Sequence, residues 1–301
     1  MPLSALALVL VAALLHATWN IVAKKSGGGR HFAALSALMV SVLWAPLGLW
    51  LAWDAVPHWG WLEWTLVGGS GVAHLVYFNV LLAGYRASDL TVVYPVARGT
   101  GPLVTSIAAV LLLGETLGAQ GLAGVLGIAA GVFLIAGGPA LWAMLRGSAG
   151  RTAEDTERRH RVRAGIAWGG ATGLLIALYT VIDGYAVKVV LMSPILIDWM
   201  GNLVRVPLML PSMLGDRDGF VRDCKTQWKG ALVLAIFGPV GYVLVLYAAQ
   251  QAPLSHVAPA REVSMLFAAL LGGRLLGETD RGLRLLGAAC IAGGVAALAW
   301  N

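Results

Sequence analysis

Arg98 and Arg261 are the residues of this 301-residue chain with the most to explain. Each follows a proline, Pro95 or Pro259, inside a long apolar stretch. A charge at mid-membrane costs roughly 2.5–3.5 kcal/mol on insertion scales, so it needs a partner or a task. A guanidinium there suits a carboxylate, phosphate or phosphonate, gripped through paired hydrogen bonds. The alternative is structural: the arginine pairs with an acid and holds helices together. Proline frees a backbone carbonyl and breaks or kinks a helix, and interrupted helices at equivalent places in two halves of a chain point to a binding site. Glu262, beside Arg261, is the natural carboxyl for proton coupling. Its alternative is a lasting salt bridge to Arg98, Arg205 or Arg261. Neighbouring helical residues diverge by about 100°, so Arg261 and Glu262 need not pair with each other.

Other polar groups fall inside apolar runs. Asn20 and Asp183 occupy similar places in the first and sixth runs, where each either bonds a neighbouring helix or touches a solute. Asp198 and Arg205 stand seven residues apart, about two turns, on one helix face. Tyr94 borders Pro95 and has the best claim to be an aromatic wall, whereas Tyr77, Tyr179, Trp19 and Trp199 read as packing. His16, His74 and His256 read as hydrogen-bonded packing residues before proton relays. Glu115 and Glu278 lie in turns, where a helix dipole favours them, and are not catalytic acids. Cys224 and Cys290 suggest neither a metal site nor a disulfide framework. Ser26-Gly27-Gly28-Gly29 lacks the Gly-Lys-Ser/Thr of a phosphate loop, so no nucleotide or other cofactor is implied.

The surrounding elements are membrane helices. The chain is 58% hydrophobic and only 12% charged, against about 25% charged for a soluble domain. Runs near the roughly 20 residues that cross a bilayer fall at 3–23, 32–53, 63–85, 90–113, 120–143, 164–187, 194–214, 229–249, 255–275 and 282–300. The first ends rather than begins in lysines, unlike a cleaved signal peptide. Outside these runs, every cation except Lys188 lies in alternate loops, which makes those loops cytoplasmic and both termini extracytoplasmic. The net charge of +6 therefore orients the protein and does not imply nucleic acid. Trp44, Trp50, Trp53, Trp59, Trp61 and Trp64 suit a membrane–water interface. Residues 146–163 read as a solvated polar tether.

The chain also repeats itself. Tyr77-Phe78-Asn79-Val80-Leu81 leads through Arg98 to Gly114-Glu115-Thr116, and Tyr242-Val243-Leu244-Val245-Leu246 leads through Arg261 to Gly277-Glu278-Thr279. Both arginines precede their Gly-Glu-Thr by 16 positions. Five spans per half make the halves inverted, as in transporters built from two related halves. Gly165-x-x-x-Gly169-x-x-x-Gly173 and Gly127-x-x-x-Gly131 allow close helix approach and permit a homodimer without requiring one.

His16-Ala17-Thr18-Trp19-Asn20 with Lys24, Tyr94-Pro95-Val96-Ala97-Arg98-Gly99-Thr100-Gly101-Pro102, Tyr179-Thr180-Val181-Ile182-Asp183-Gly184-Tyr185 and Ala258-Pro259-Ala260-Arg261-Glu262 resemble the EamA branch of the drug/metabolite transporter superfamily. The resemblance implies an all-α integral membrane protein of ten transmembrane helices, in two inverted five-helix EamA repeats at 1–145 and 164–301. It further implies a central cavity and secondary, export-directed transport across the cell (inner) membrane.

The resulting expectation is a transporter, not an enzyme, for a small anionic or zwitterionic metabolite. Arg98, Arg261, Tyr94, Asn20 and Asp183 would bind it, with Glu262 coupling protons. A cation or multidrug exporter would want an uncompensated cavity acid, and a lipid-headgroup enzyme a catalytic cluster near one interface.

Overall fold

The computed structural model describes residues 1–25, 31–136, 153–267 and 281–300. Among them helices dominate and no strand occurs. That is what a bilayer demands, since a helix satisfies its own backbone polar groups. Helix α1 (Leu3–Lys25) is followed by α2 (Phe32–Leu43) and α3 (Ala45–Ala55), then by α4 (Trp61–Ala87), α5 (Leu90–Leu113) and α6 (Ala119–Ile135). The later helices are α7 (Ala153–Lys188), α8 (Pro194–Gly215), α9 (Arg217–Gln251), the short α10 (Leu254–Ala260) and α11 (Arg281–Ala299).

The run expected at 32–53 is a bent pair, with a 62° angle between Phe32–Leu43 and Ala45–His58. Pro46 sits in the first turn of α3, where its ring and missing N–H are tolerated only if the preceding helix ends. The tether expected over 146–163 is helical from Ala153, where an exposed i,i+4 pair joins Glu157 to Arg161. Its residues before Ala153 lie outside the described ones, as does Glu278.

Four helical stretches are long and apolar enough to cross a membrane: Trp61–Ala87, Val92–Leu113, His160–Lys188 and Arg217–Gln251. The bent pair makes up to five, and Leu3–Trp19, Ala119–Ile135 and Leu285–Ala299 are shorter apolar helices. Leu111 and Leu112 are more than 70% exposed, and Trp50, Trp53, Trp61 and Trp64 are exposed as well. Such surfaces belong in lipid and at its boundary.

The chain forms two compact units that do not coincide with its two sequence halves. Unit one holds Ala73–Val181 and Ala252–Asn301, and unit two holds Ser4–Val72 and Ile182–Gln251. In unit one, α6 meets α11 through glycines. A Cβ on Gly131 would lie 2.5 Å from Gly287 O, and one on Gly124 would lie 2.9 Å from Gly294 O. The small-residue face expected to permit a homodimer is thus used inside the unit, because bare backbones pack closest there. In unit two, Asn202 Nδ2 donates to Ala37 O and to Ser41 Oγ, each at 2.9 Å, tying α8 to α2. Trp44 Nε1 donates to Ala235 O at 3.0 Å, which fixes the bend to α9. Trp199 is buried, as its packing role predicts, with its ring over Gly48.

Candidate functional site

Unit one assembles the strongest site around α5 and α10. Proline at 259 cannot donate to Ser255 O, and Ser106 Oγ of α5 lies 3.0 Å from that carbonyl. The same hydroxyl lies 3.0 Å from Pro102 O, so one proton serves two acceptors. Helix α10 stops at Ala260, residues 261 and 262 form a turn, and helix resumes at 263–267. The turn is tight: Glu262 N donates to Pro259 O at 2.9 Å and Met265 N to Glu262 O at 2.9 Å, each three residues back. By contrast α5 runs unbroken through Pro95 and Pro102. The interruption expected in both halves is present in one, because α5 absorbs its prolines within a longer helix.

This asymmetry sets the charge geometry. Arg98 Nη2 lies 2.9 Å from Glu262 Oε2, with side-chain exposures of 12% and 1%. Of the alternatives for Glu262, its arginine partner is Arg98. Nη2 also donates to Ser264 Oγ at 3.3 Å. Both contacts use a single nitrogen. Arg98 Nε is buried without a hydrogen bond among the described residues, and at Glu262 Oε2 the close contact is an ion pair rather than an aligned hydrogen bond. The pair is thus matched in charge but lacks the two parallel hydrogen bonds of a fork-to-fork contact.

Aromatic rings complete the surroundings. The Tyr94 ring centroid is 6.0 Å from Arg98 Cζ, a cation–π distance. Tyr77 and Tyr179 also lie within the electrostatic reach of Arg98. Their rings meet edge to face at 5.5 Å, and His74 stacks on Tyr179 at 4.0 Å. Arg261 lies in the turn beside Glu262, within weaker electrostatic reach of Tyr77 than Arg98 is.

Two further expected solute contacts, Asp183 and Asn20, are on other helices. Asp183 lies in unit two and bonds Tyr242. Asn20 is on α1, and its side chain lies outside the described residues.

Residues 3–137 and 163–300 each match the EamA-like transporter family. The chain belongs to that family. Two matches in tandem also establish the duplication read from the sequence. A solved structure described as "Crystal structure of protein" shares 19% identity, with a TM-score of 0.71 over 99% of this chain and 96% of that one. At that identity the likeness speaks to the fold alone. None of the curated proteins matches.

As an EamA-like transporter it is a multi-pass membrane protein, and its family handles small-molecule solutes rather than catalysing reactions. Sequence reasoning missed three contributors to its site. Ser264 carried no signal beyond its place near Glu262. Ser106 is legible as a partner only once Pro259 is known to free a carbonyl near it. Glu115 was expected at a helix start, but the helix it caps is remote in sequence. Its carboxylate accepts from Leu254 N at 2.7 Å and Ser255 N at 2.9 Å. It thereby supplies α10 with the acceptor that its N-cap, Pro253, lacks. Glu115→Ala is expected to destabilise the protein by about 2 kcal/mol, with Glu115→Gln less harmful because it keeps an acceptor. The order of the thermal midpoints of the two variants in detergent checks this.

Proposed function

We propose that this chain is a ten-span secondary transporter that binds a small anionic or zwitterionic organic metabolite, amino-acid-like in charge, at Arg98. Its two inverted halves open the binding site alternately to either side of the inner membrane. Both termini face outward, and export is the working direction. The observation that carries the reading is the half-used guanidinium: Arg98 is only 12% exposed, spends one nitrogen on Glu262 and Ser264, and its Nε makes no hydrogen bond among the described residues.

A solute carboxylate supplies the bidentate partner that Glu262 does not. Arg261 adds a second cation to the same aromatic surroundings, and Tyr94 offers a ring face. Displaced from Arg98, Glu262 is a buried acid without its counter-charge, and a proton neutralises it. Solute binding and proton uptake are then one exchange at one guanidinium.

The test is thermal stabilisation of the purified full-length protein by amino acids, phosphonates, phosphate esters, nucleosides and quaternary amines. A ligand at 100 times its Kd stabilises by about 2.7 kcal/mol. The control is Arg98→Ala/Glu262→Gln, which removes the site without stranding a charge. Anionic or zwitterionic solutes are expected to stabilise the wild type and not the control. Stabilisation of both by quaternary amines alone would overturn the assignment in favour of a cation exporter.

A further inference from the structure

Unit two contains a second buried ionisable cluster, built on α4, α7, α8 and α9. Asp183, on α7, is 1% exposed. Its carboxyl accepts the hydroxyl proton of Tyr242, on α9, and the Ser70 hydroxyl of α4 neighbours it. Oδ1 accepts no hydrogen bond among the described residues. The charged groups facing it are Asp198 and Arg205, both on α8. Arg205 acts on both acids, and its Nε is likewise buried without a hydrogen bond among the described residues.

The charges in this cluster do not balance. A guanidinium stays protonated, so one positive charge faces two carboxyls. With both ionised, one negative charge is left over in a low-dielectric interior, which is strongly unfavourable. One added proton restores neutrality. Asp198 shares a helix face with Arg205 two turns away and is the less buried of the two acids. Asp183 is held by hydroxyl groups rather than by a guanidinium, and its buried Oδ1 accepts no hydrogen bond among the described residues.

We propose that Asp183 is a proton-binding site, distinct from the Arg98–Glu262 pair, with Asp198 as the standing counter-ion of Arg205. The proton adds to Oδ1 from water and leaves to water, and no other bond changes. Tyr242 stabilises the carboxylate by donating to it, and Oδ1, which accepts no hydrogen bond among the described residues, receives the proton. The proposal does not depend on which solute the transporter carries.

It is tested without solute, by infrared difference spectra of the full-length protein in lipid vesicles. The pH is stepped from about 5 to about 9, a window that excludes ordinary exposed carboxyls. Aspartate labelled with carbon-13 in the side-chain carboxyl separates Asp from Glu signals. The carbonyl stretch of a protonated aspartic acid is expected to titrate within the window and to vanish in Asp183→Asn.

Two further variants read the mechanism and keep the test decisive if Asp183→Asn does not fold. Tyr242→Phe should raise the midpoint by about one pH unit, a tenfold change in proton affinity, because the ionised form loses a donor. Asp198→Asn should lower it by at least as much, because Arg205 becomes available to Asp183. An aspartic acid signal that survives in Asp183→Asn, a midpoint unmoved by either neighbour, or no titrating aspartate in the window would overturn the proposal.

Discussion

Glu262→Gln is expected to destabilise the solute-free protein by about 3–5 kcal/mol while tightening its grip on anions. The destabilisation follows from burial. Glu262 is 1% exposed and Arg98 12%, so removing the acid leaves a guanidinium that water cannot easily reach. The gain in affinity has the same origin, because an anionic solute no longer competes with an internal carboxylate for Arg98. Arg98→Ala should destabilise by a similar amount, with the stranded charge now negative and with no anion affinity gained. The double variant Arg98→Ala/Glu262→Gln should lose far less than the sum of the two, because it strands no charge. Unfolding midpoints in detergent for the four proteins, each with and without a carboxylate solute, separate these terms. Additive single effects, or a Glu262→Gln protein that anions fail to stabilise, would show that the pair is not the competitor for solute described above.

That pair also shows where the sequence misleads. Counted back from Gly-Glu-Thr, Arg98 and Arg261 are equivalent, each 16 positions before it. Counted forward from Pro95 and Pro259, the equivalent of Arg98 is Glu262, each three positions after its proline. The second copy is therefore one residue shorter between proline and Gly-Glu-Thr. The tight turn at Arg261-Glu262 falls in that interval, while α5 stays helical. Residues with equal places in the forward register carry opposite charges and meet each other. Arg98, Tyr94, Arg261 and Glu262 were all legible as a group, since charge in an apolar run is conspicuous. Their pairing was not, because it depends on how one proline is accommodated in a long helix and the other in a short one. The all-helical character was legible from run length, while of the ten expected runs four helices, or five with the bent pair, are long and apolar enough to span among the described residues. The bend after α2 followed from Pro46 but was hidden in a continuous apolar run. The cap that Glu115 gives α10 links residues 139 apart, and no local pattern records it.

Gly173→Val is expected to destabilise by about 3 kcal/mol or more and to weaken solute binding, whereas Gly170→Val should do neither. The two glycines lie on the same helix, three residues apart, so membrane depth and helix propensity differ little between them. Their surroundings differ sharply. A Cβ at Gly173 would lie 2.7 Å from Thr100 Cβ and 3.1 Å from both Ala97 O and Gly101 N. One at Gly170 would meet nothing within 4 Å. Two of the atoms facing Gly173 are backbone, so α5 cannot yield by a side-chain rotation and must move away from α7. Helix α5 carries Tyr94 and Arg98, and α7 carries Tyr179. Any separation therefore widens the aromatic surroundings of the guanidinium as well as the helix contact. A Cβ at Gly169 would meet Val93 O, and one at Gly165 would meet Ser88 and Val92, in the same way, so the whole stripe sets one interhelical distance. Thermal midpoints with and without a stabilising solute give both effects in one experiment. Equal tolerance of valine at 170 and 173 would mean that α5 and α7 are free to slide apart, and that the stripe does not hold the site in shape.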